Sequence, residues 1–292
     1  MRKETWLQKN GTSLEGKTIA ITGATGGLGR EICMDLLALG GNLVLLNRNP
    51  EKNQALRREL LAQYPKAQIS DIPVDLTDIG SVKAACAALS QLPLDILIHN
   101  AGAYSIPREI CSTGLLNVFQ INFAAPYYMT KQLLPLLSQR RGKVVVMGSI
   151  AHTYSRSDPR DPDFSTRTGS SLIYGNSKRY LMFAMGELFK DHPQVEFAIA
   201  HPGITFTGIT DHYPKVIFAI IKHPMKVIFM KPATAARGMI LAVCRKIPYL
   251  HWAGPKLFDI WGNPSVKLLR TCDPRERQRI FRDAEKMYQK LL

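Results

Sequence analysis

From about Lys17 onward, short apolar runs alternate with segments whose apolar positions recur at helical spacing. That alternation is the sequence sign of βαβ units and of a parallel sheet covered on both faces. Strands are expected near Thr18–Thr22, Asn42–Asn47, Gln68–Val74, Asp95–Ile98, Lys143–Met147, Glu196–Ala200 and Leu250–Trp252, with helices filling the intervals. Asn49-Pro50-Glu51 reads as a helix start with proline in the first turn, continued by Ala55, Leu56, Glu59 and Leu60. Asp273-Pro274-Arg275-Glu276-Arg277 opens a charged helix that keeps Ile280, Phe281, Ala284, Met287, Tyr288 and Leu291 on one face, which is expected to dock on the body of the fold.

No repeat, low-complexity tract or Gly/Ser linker divides the chain, so a single domain over residues 1–292 is expected. Two segments break the rhythm. His152 to Gly169 is rich in Ser, Asp, Pro and Arg and reads as a long surface loop; Gly203 to Lys231 mixes apolar residues with lysine and proline and reads as an apolar lid.

Composition narrows the classes. With 46% hydrophobic residues, the 292-residue chain can fill an extended core, which excludes disorder. Cys33, Cys86, Cys111, Cys244 and Cys272 are odd in number and never in C-x-x-C spacing, which indicates neither a disulfide framework nor a metal site and fits a reducing compartment. The net charge of +15 suits an anionic partner, but the basic residues are dispersed and no nucleic-acid motif is present, so nucleic acid is not expected as a partner. The start, Met1-Arg2-Lys3-Glu4-Thr5-Trp6, lacks the apolar stretch of a secretory signal, and no segment reaches the roughly 18 apolar residues of a spanning helix. A cytoplasmic location is expected, with surface contact to a membrane left open.

The first candidate chemistry is Thr22-Gly23-Ala24-Thr25-Gly26-Gly27-Leu28-Gly29, which follows a buried-strand pattern and precedes a helical one. In that context Gly23 makes the turn, Gly27 allows backbone to approach phosphate and Gly29 lets helix pack on strand, with Thr25 and Leu28 between them. An ordinary glycine-rich turn is the plain alternative. About twenty residues on, Asn47-Arg48-Asn49 stands where a carboxylate would grip a ribose 2′-hydroxyl. Arg48 can pair with a 2′-phosphate, so NADP(H) is preferred over NAD(H), against a solvated turn arginine. Arg30 is a second cation expected at that rim. Asp75-Leu76 closes the third strand, where Asp75 either meets the adenine edge or caps a helix. His99-Asn100-Ala101-Gly102 closes the fourth, with small residues that let backbone come close to a ribose.

The second is Tyr174-Gly175-Asn176-Ser177-Lys178, one helical turn from phenol to ammonium. An ammonium about 4 Å from a phenol contributes roughly 4 kcal/mol at an effective dielectric of 20, enough to bring proton loss from near pH 10 toward neutral. Such a tyrosine serves as acid for a ketone and base for an alcohol. Ser149 ends the fifth expected strand, and Asn122 is a poor helix-interior residue among apolar neighbours, which suggests a kink or a bound water. Singly, these read as a core tyrosine, a solvated lysine and a capping serine. Pro202 and Gly203 turn the chain after the sixth strand, where the Ile204 backbone and the Thr207 hydroxyl could fix a carboxamide; His201 reads as a packing or capping histidine.

In this order, the glycine motif, Asn100-Ala101-Gly102, Asn122, Ser149, Tyr174-x-x-x-Lys178 and Pro202-Gly203 resemble the short-chain dehydrogenase/reductase family over nearly the whole chain. The resemblance implies a doubly wound α/β sheet of the Rossmann type, here seven strands and mainly parallel, a nicotinamide cofactor and the catalytic set Asn122, Ser149, Tyr174 and Lys178. It also implies that Asn122 holds a relay water and makes a dimer or tetramer reasonable, although an apolar lid could also favour a monomer on a membrane. The long insertion before Tyr174 is similar to the retinol-dehydrogenase-like and protochlorophyllide-reductase-like branches, which handle large apolar molecules. Within Tyr213 to Lys231, apolar blocks alternate with lysines, which suits a substrate lid, a lid that also touches a membrane, or an oligomer interface. An oxidoreductase for a lipophilic ketone, aldehyde or alcohol is the leading expectation. Reduction of a conjugated C=C bond, or a non-catalytic NADPH-binding sensor or adaptor, are the rivals.

Overall fold

The computed structural model describes residues 2–204, 230–269 and 271–292. Within them an eight-stranded sheet runs β3-β2-β1-β4-β5-β6-β7-β8. Its strands are β1 Thr18–Thr22, β2 Asn42–Asn47, β3 Ile69–Pro73, β4 Leu94–His99, β5 Lys143–Met147, β6 Glu196–Ala200, β7 His251–Leu257 and β8 Trp261–Leu268. The first seven pair in parallel, and β8 returns antiparallel on β7. The doubly wound expectation holds, with one strand more than the seven expected. That strand carries Gly262, Asn263 and Pro264 and has no fully buried position, only exposed and half-buried ones. As an edge strand it tolerates proline and needs no apolar stripe, so its sequence looks like a turn.

The helices are α1 Lys3–Asn10, α2 Gly27–Ala38, α3 Pro50–Gln63, α4 Ile79–Leu89, α5 Ala125–Gln139, α6 Ser170–Leu188, α7 Pro232–Cys244 and α8 Pro274–Leu291. The sheet separates two apolar cores. One joins α4, α5, α6 and α8 through residues such as Val82, Leu133, Tyr180 and Ile280; the other joins α1, α2, α3 and α7 through Trp6, Ile32, Leu60 and Ile240. Alternate strand residues feed opposite cores: Val144 and Val146 the first, Val145 and Met147 the second. This two-sided burial explains why β1, β2, β4 and β5 read as largely apolar runs.

Caps follow the sequence signals. Asn49 accepts from Lys52 N at the head of α3, where Pro50 occupies the first turn, and Asp273 accepts from Glu276 N at the head of α8. Helix α8 buries Ile280, Ala284 and Leu291 as expected. The 152–169 stretch departs from a plain surface loop. Asp161 and Asp163 are buried and accept hydrogen bonds from Ser165, Thr166 and Leu116, so these carboxylates fold the segment onto the body. Among the described residues no helix is long and apolar enough to cross a membrane. Most of the expected lid, 205–229, lies outside the described residues.

Candidate active site

The strand order reverses between β1 and β4, and a cleft of about 1120 Å³ opens at the carboxyl edge there. Such switch points leave a crevice because neighbouring connections depart to opposite faces. Three glycines build one end. Gly23 has φ +69°, and a Cβ on it would stand 2.8 Å from Ala101 Cα. A Cβ on Gly29 would stand 2.2 Å from Gly23 O, so α2 rests directly on the turn, whereas one on Gly27 would meet nothing within 4 Å. Helix α2 starts here with no side-chain cap and no acidic residue in its first turn. Its leading N–H groups are thus left for an anion.

Asn100 locks this turn to β4. Its Nδ2 donates to Thr22 O at 3.1 Å and Gly23 O at 3.0 Å, while Thr22 Oγ1 accepts from the N–H groups of Asn100 and Ala101, both at 3.1 Å. Thr25 N donates to Asn47 Oδ1, and Asn47 Nδ2 donates to Asn53 Oδ1 at 2.6 Å. Thr25, Leu28, Arg48, Asp75 and Leu76 all line the cleft. The Arg48 side chain is 72% exposed and only loosely paired, 3.6 Å from Asp75 Oδ2. Asp75 Oδ1 accepts from Thr77 N and Oγ1, so Asp75 shapes its own turn, and the helix capping weighed as its alternative role is taken by Asp78, which accepts from Gly80 N at the head of α4. Arg30 does not stand at this rim as expected, because Glu59 and Glu31 hold its guanidinium.

At the other end stand Ser149, Tyr174 and Lys178, brought together from the end of β5 and one face of α6. Ser149 caps a short 3₁₀ turn by accepting from Ala151 N, and its hydroxyl also bonds the Tyr174 phenol. Lys178 is buried, donates to Met147 O at 2.9 Å, and places Nζ 5.7 Å from the Tyr174 ring centroid. A Cβ on Gly102 would stand 3.4 Å from that Nζ, so Gly102 is a close-approach glycine. The expected acidification of the phenol does not appear in this arrangement. Burial pushes the Tyr174 phenol up to about 12, outweighing its Ser149 hydrogen bond, and burial pushes Lys178 down to about 8. The ammonium is turned to a backbone carbonyl, and losing solvent penalises a phenolate more than a distant cation helps it.

Asn122 sits in a π-helical turn, Gln120–Ala124, directly before α5, which realises the expected irregularity. It is fully buried and behind the cleft wall. Its Oδ1 accepts from Ala103 N at 2.8 Å, and its Nδ2 donates to Ala103 O and Ser177 Oγ, both at 2.9 Å. That clamp sets the next residue, Tyr104, edge-on to Tyr174 with centroids 5.3 Å apart. Tyr104 and Ser177 were not singled out in the sequence, since a tyrosine in a loop and a serine inside a helix carry no distinctive pattern. Ile106, Pro107, Ile121, Ile150 and Tyr154 add apolar lining to the same cleft.

Pro202, Gly203 and Ile204 line the cleft after β6; Thr207 lies outside the described residues. His201 is a packing histidine, stacked on Trp252 at 4.6 Å. Among the described residues no cluster of three His, Cys, Asp or Glu could hold a metal ion.

Residues 17–159 match the family model for short chain dehydrogenases. The chloroplastic short-chain dehydrogenase TIC 32 A of Brassica napus is 28% identical over 213 residues, covering 67% of this chain and 66% of that protein. Human retinol dehydrogenase 14 is 30% identical over 217 residues, covering 68% of this chain and 65% of that protein. Both matches therefore span just under two thirds of the relative. A crystal structure of an uncharacterized protein from Mycobacterium paratuberculosis superposes with a TM-score of 0.79 at 24% identity, over 96% of each chain, and supports the fold.

Proposed function

The chain belongs to the short-chain dehydrogenase/reductase family, and from that premise we propose an NADP(H)-dependent oxidoreductase that interconverts a lipophilic ketone or aldehyde and its alcohol. One observation carries this reading: Ser149, Tyr174 and Lys178 converge at one end of a cleft whose other end is an uncapped, glycine-lined helix start. The residues fit a dinucleotide. The open space at Gly27 and the unclaimed N–H groups of α2 suit a pyrophosphate, Asn100 to Gly102 leave room for ribose, and Pro202 to Ile204 border the nicotinamide end. When bound, the dinucleotide supplies or accepts the hydride.

The protein's own groups then handle the oxygen and its proton. Ser149 Oγ, already bonded to the phenol, orients a substrate oxygen beside Tyr174. With its phenol pushed up to about 12, Tyr174 stays protonated across the physiological range and is ready to donate, which suits carbonyl reduction. Lys178, fixed by Met147 O with its Nζ 5.7 Å from the Tyr174 ring centroid, would have to turn from that carbonyl for its charge to favour the tyrosinate that donation leaves behind. Asn122 holds Ala103 and Ser177 in place, and the π turn it occupies suits the relay water that the family resemblance implies.

Preference for NADP(H) rests on Arg48, which is exposed, loosely paired and unopposed by a carboxylate at the end of β2. Arg48→Ala is expected to raise the KM for NADPH roughly tenfold while moving that for NADH less than about twofold, because only the 2′-phosphate loses a charged partner. Equal effects on both cofactors in steady-state kinetics would remove this assignment.

The lipophilic substrate follows from the wall of Tyr104, Ile106, Pro107, Ile121, Ile150 and Tyr154. The printed names of relatives, retinol dehydrogenases 13 and 14, agree with a large apolar carbonyl. Membrane contact and self-association rest on sequence alone, because the lysine-punctuated segment 213–229 lies outside the described residues. The test is NADPH oxidation with a panel of retinoid, steroid and fatty-chain carbonyls, with products identified by mass. Alcohol formation is expected; saturation of a conjugated C=C bond, or NADPH binding without turnover, would replace this reading.

A further inference from the structure

Behind the cleft, His152 is buried at 1% exposure and bridges two elements. Its Nδ1 stands 2.6 Å from the Ser149 carbonyl oxygen and its Nε2 stands 2.6 Å from Thr271 Oγ1. A carbonyl can only accept, so Nδ1 carries the ring proton and Nε2 accepts from the Thr271 hydroxyl. The ring is fixed edge-on to Trp252 at 5.5 Å, and Trp252 lies flat on His201, the residue before Pro202 and Gly203. Arg179 Nη1 donates to the His152 carbonyl at 2.9 Å. His152 itself is not part of the cleft lining. Burial pushes its imidazole down to about 4, so it stays neutral and keeps one tautomer in the working range.

We propose that His152 is a positioning residue: its imidazole holds the Ser149 carbonyl from behind, and so fixes where the Ser149 hydroxyl meets Tyr174 and the substrate oxygen. The Ser149 backbone is extended, and the backbone N–H of His152 reaches the same carbonyl at only 3.2 Å. The shorter imidazole bond therefore provides the firmer anchor at this strand end. Through Thr271 it ties the serine to the segment leading into α8, and through the Trp252 and His201 stack it ties Ser149 to the neighbouring wall at Pro202. The inference rests on the reading of Ser149 as the group that orients the substrate oxygen.

The test compares His152→Ala, His152→Gln and His152→Asn with wild type and Tyr174→Phe. NADPH Kd is measured by fluorescence, and kcat and KM with whichever carbonyl wild type reduces. An asparagine amide nitrogen falls where Nδ1 was and can still donate to Ser149; a glutamine amide reaches toward Thr271 instead. Both the Ala and Gln variants are expected to lose kcat by roughly 10- to 100-fold with NADPH Kd unchanged, the scale of a small misplacement at a reacting centre, while the Asn variant recovers most of it. Asn no better than Gln, or Ala with wild-type kcat, overturns the proposal. If the Ala variant fails to fold and binds no NADPH, Thr271→Val supplies the second readout: kcat should fall at constant Kd, and unchanged kcat overturns the proposal. A wild-type protein that binds NADPH but turns nothing over overturns the functional reading as well, whereas wild-type turnover that is lost in Tyr174→Phe but kept in His152→Ala overturns only the role of His152.

Discussion

Tyr174→Phe should lower turnover by about 10²- to 10⁴-fold while NADPH affinity stays within a few-fold of wild type. The change removes one oxygen and keeps the ring, so the edge-on contact with Tyr104 at 5.3 Å and the apolar lining of the cleft persist. What disappears is the proton at the position Ser149 marks out. The lost factor should appear in kcat as well as kcat/KM, since proton donation contributes in the transition state and little to binding. Steady-state kinetics and fluorescence titration on the same preparation check both halves. Wild-type turnover in the variant would show that the phenol is not the acid.

The second large effect concerns stability. Glu276→Gln should destabilise the protein by about 3–5 kcal/mol, because it leaves a buried guanidinium without its counter-charge. Arg179 and Glu276 are both nearly inaccessible and meet at 2.6 Å. Glu276 Oε1 also accepts from Ser157 N at 2.9 Å and Ser157 Oγ at 3.0 Å, and Arg179 donates on to the carbonyls of His152 and Thr271. This pair therefore ties α8 to α6 and to the loop that leaves Ser149. Burial alone would push the Glu276 carboxyl up, but the Arg179 and Ser157 hydrogen bonds hold it down at about 2. Since the folded value lies below the unfolded one of 4.5, the folded state binds fewer protons between them, and stability rises with pH across that window. The contribution is complete above about pH 4.5 and is lost as pH falls toward 2. Denaturation at pH 7 should show the full loss in Glu276→Gln, and the gap between variant and wild type should close in acid. A constant gap down to pH 2 would contradict the assignment. Replacing both partners with apolar residues of similar size should restore much of the stability, because no uncompensated charge then remains.

Much of the fold was legible because its strands are buried on both faces. Ile19 to Ile21 or Val144 to Val146 can hardly be anything but sheet interior once glycine or serine follows. Strand β8 was not legible, for an edge strand is defined by its neighbour's hydrogen bonds rather than by its own pattern. Helix α1 was hidden for a related reason: only Trp6 and Leu7 are buried in it, too few to set a period. At the site, the glycine turn and the Tyr174 and Lys178 spacing are local and survive in the sequence as motifs. The contacts that position them are not local. Asn122 to Ala103, His152 to Thr271 and Arg179 to Glu276 join residues far apart in the chain through ordinary residue types. The electrostatics were the least readable. Spacing places an ammonium one turn from a phenol, but only the packing shows that both lose solvent and that the ammonium turns to Met147.

The central claim is that this cleft passes hydride between a reduced nicotinamide and a carbonyl carbon beside Tyr174. Its most direct measurement uses NADPH deuterated at both C4 positions, incubated with the protein and a carbonyl that it consumes, with the product examined by mass spectrometry. The account predicts an alcohol carrying a single deuterium on the former carbonyl carbon, formed by wild type and nearly absent with Tyr174→Phe. An unlabelled alcohol, or label found on a neighbouring carbon, would contradict it.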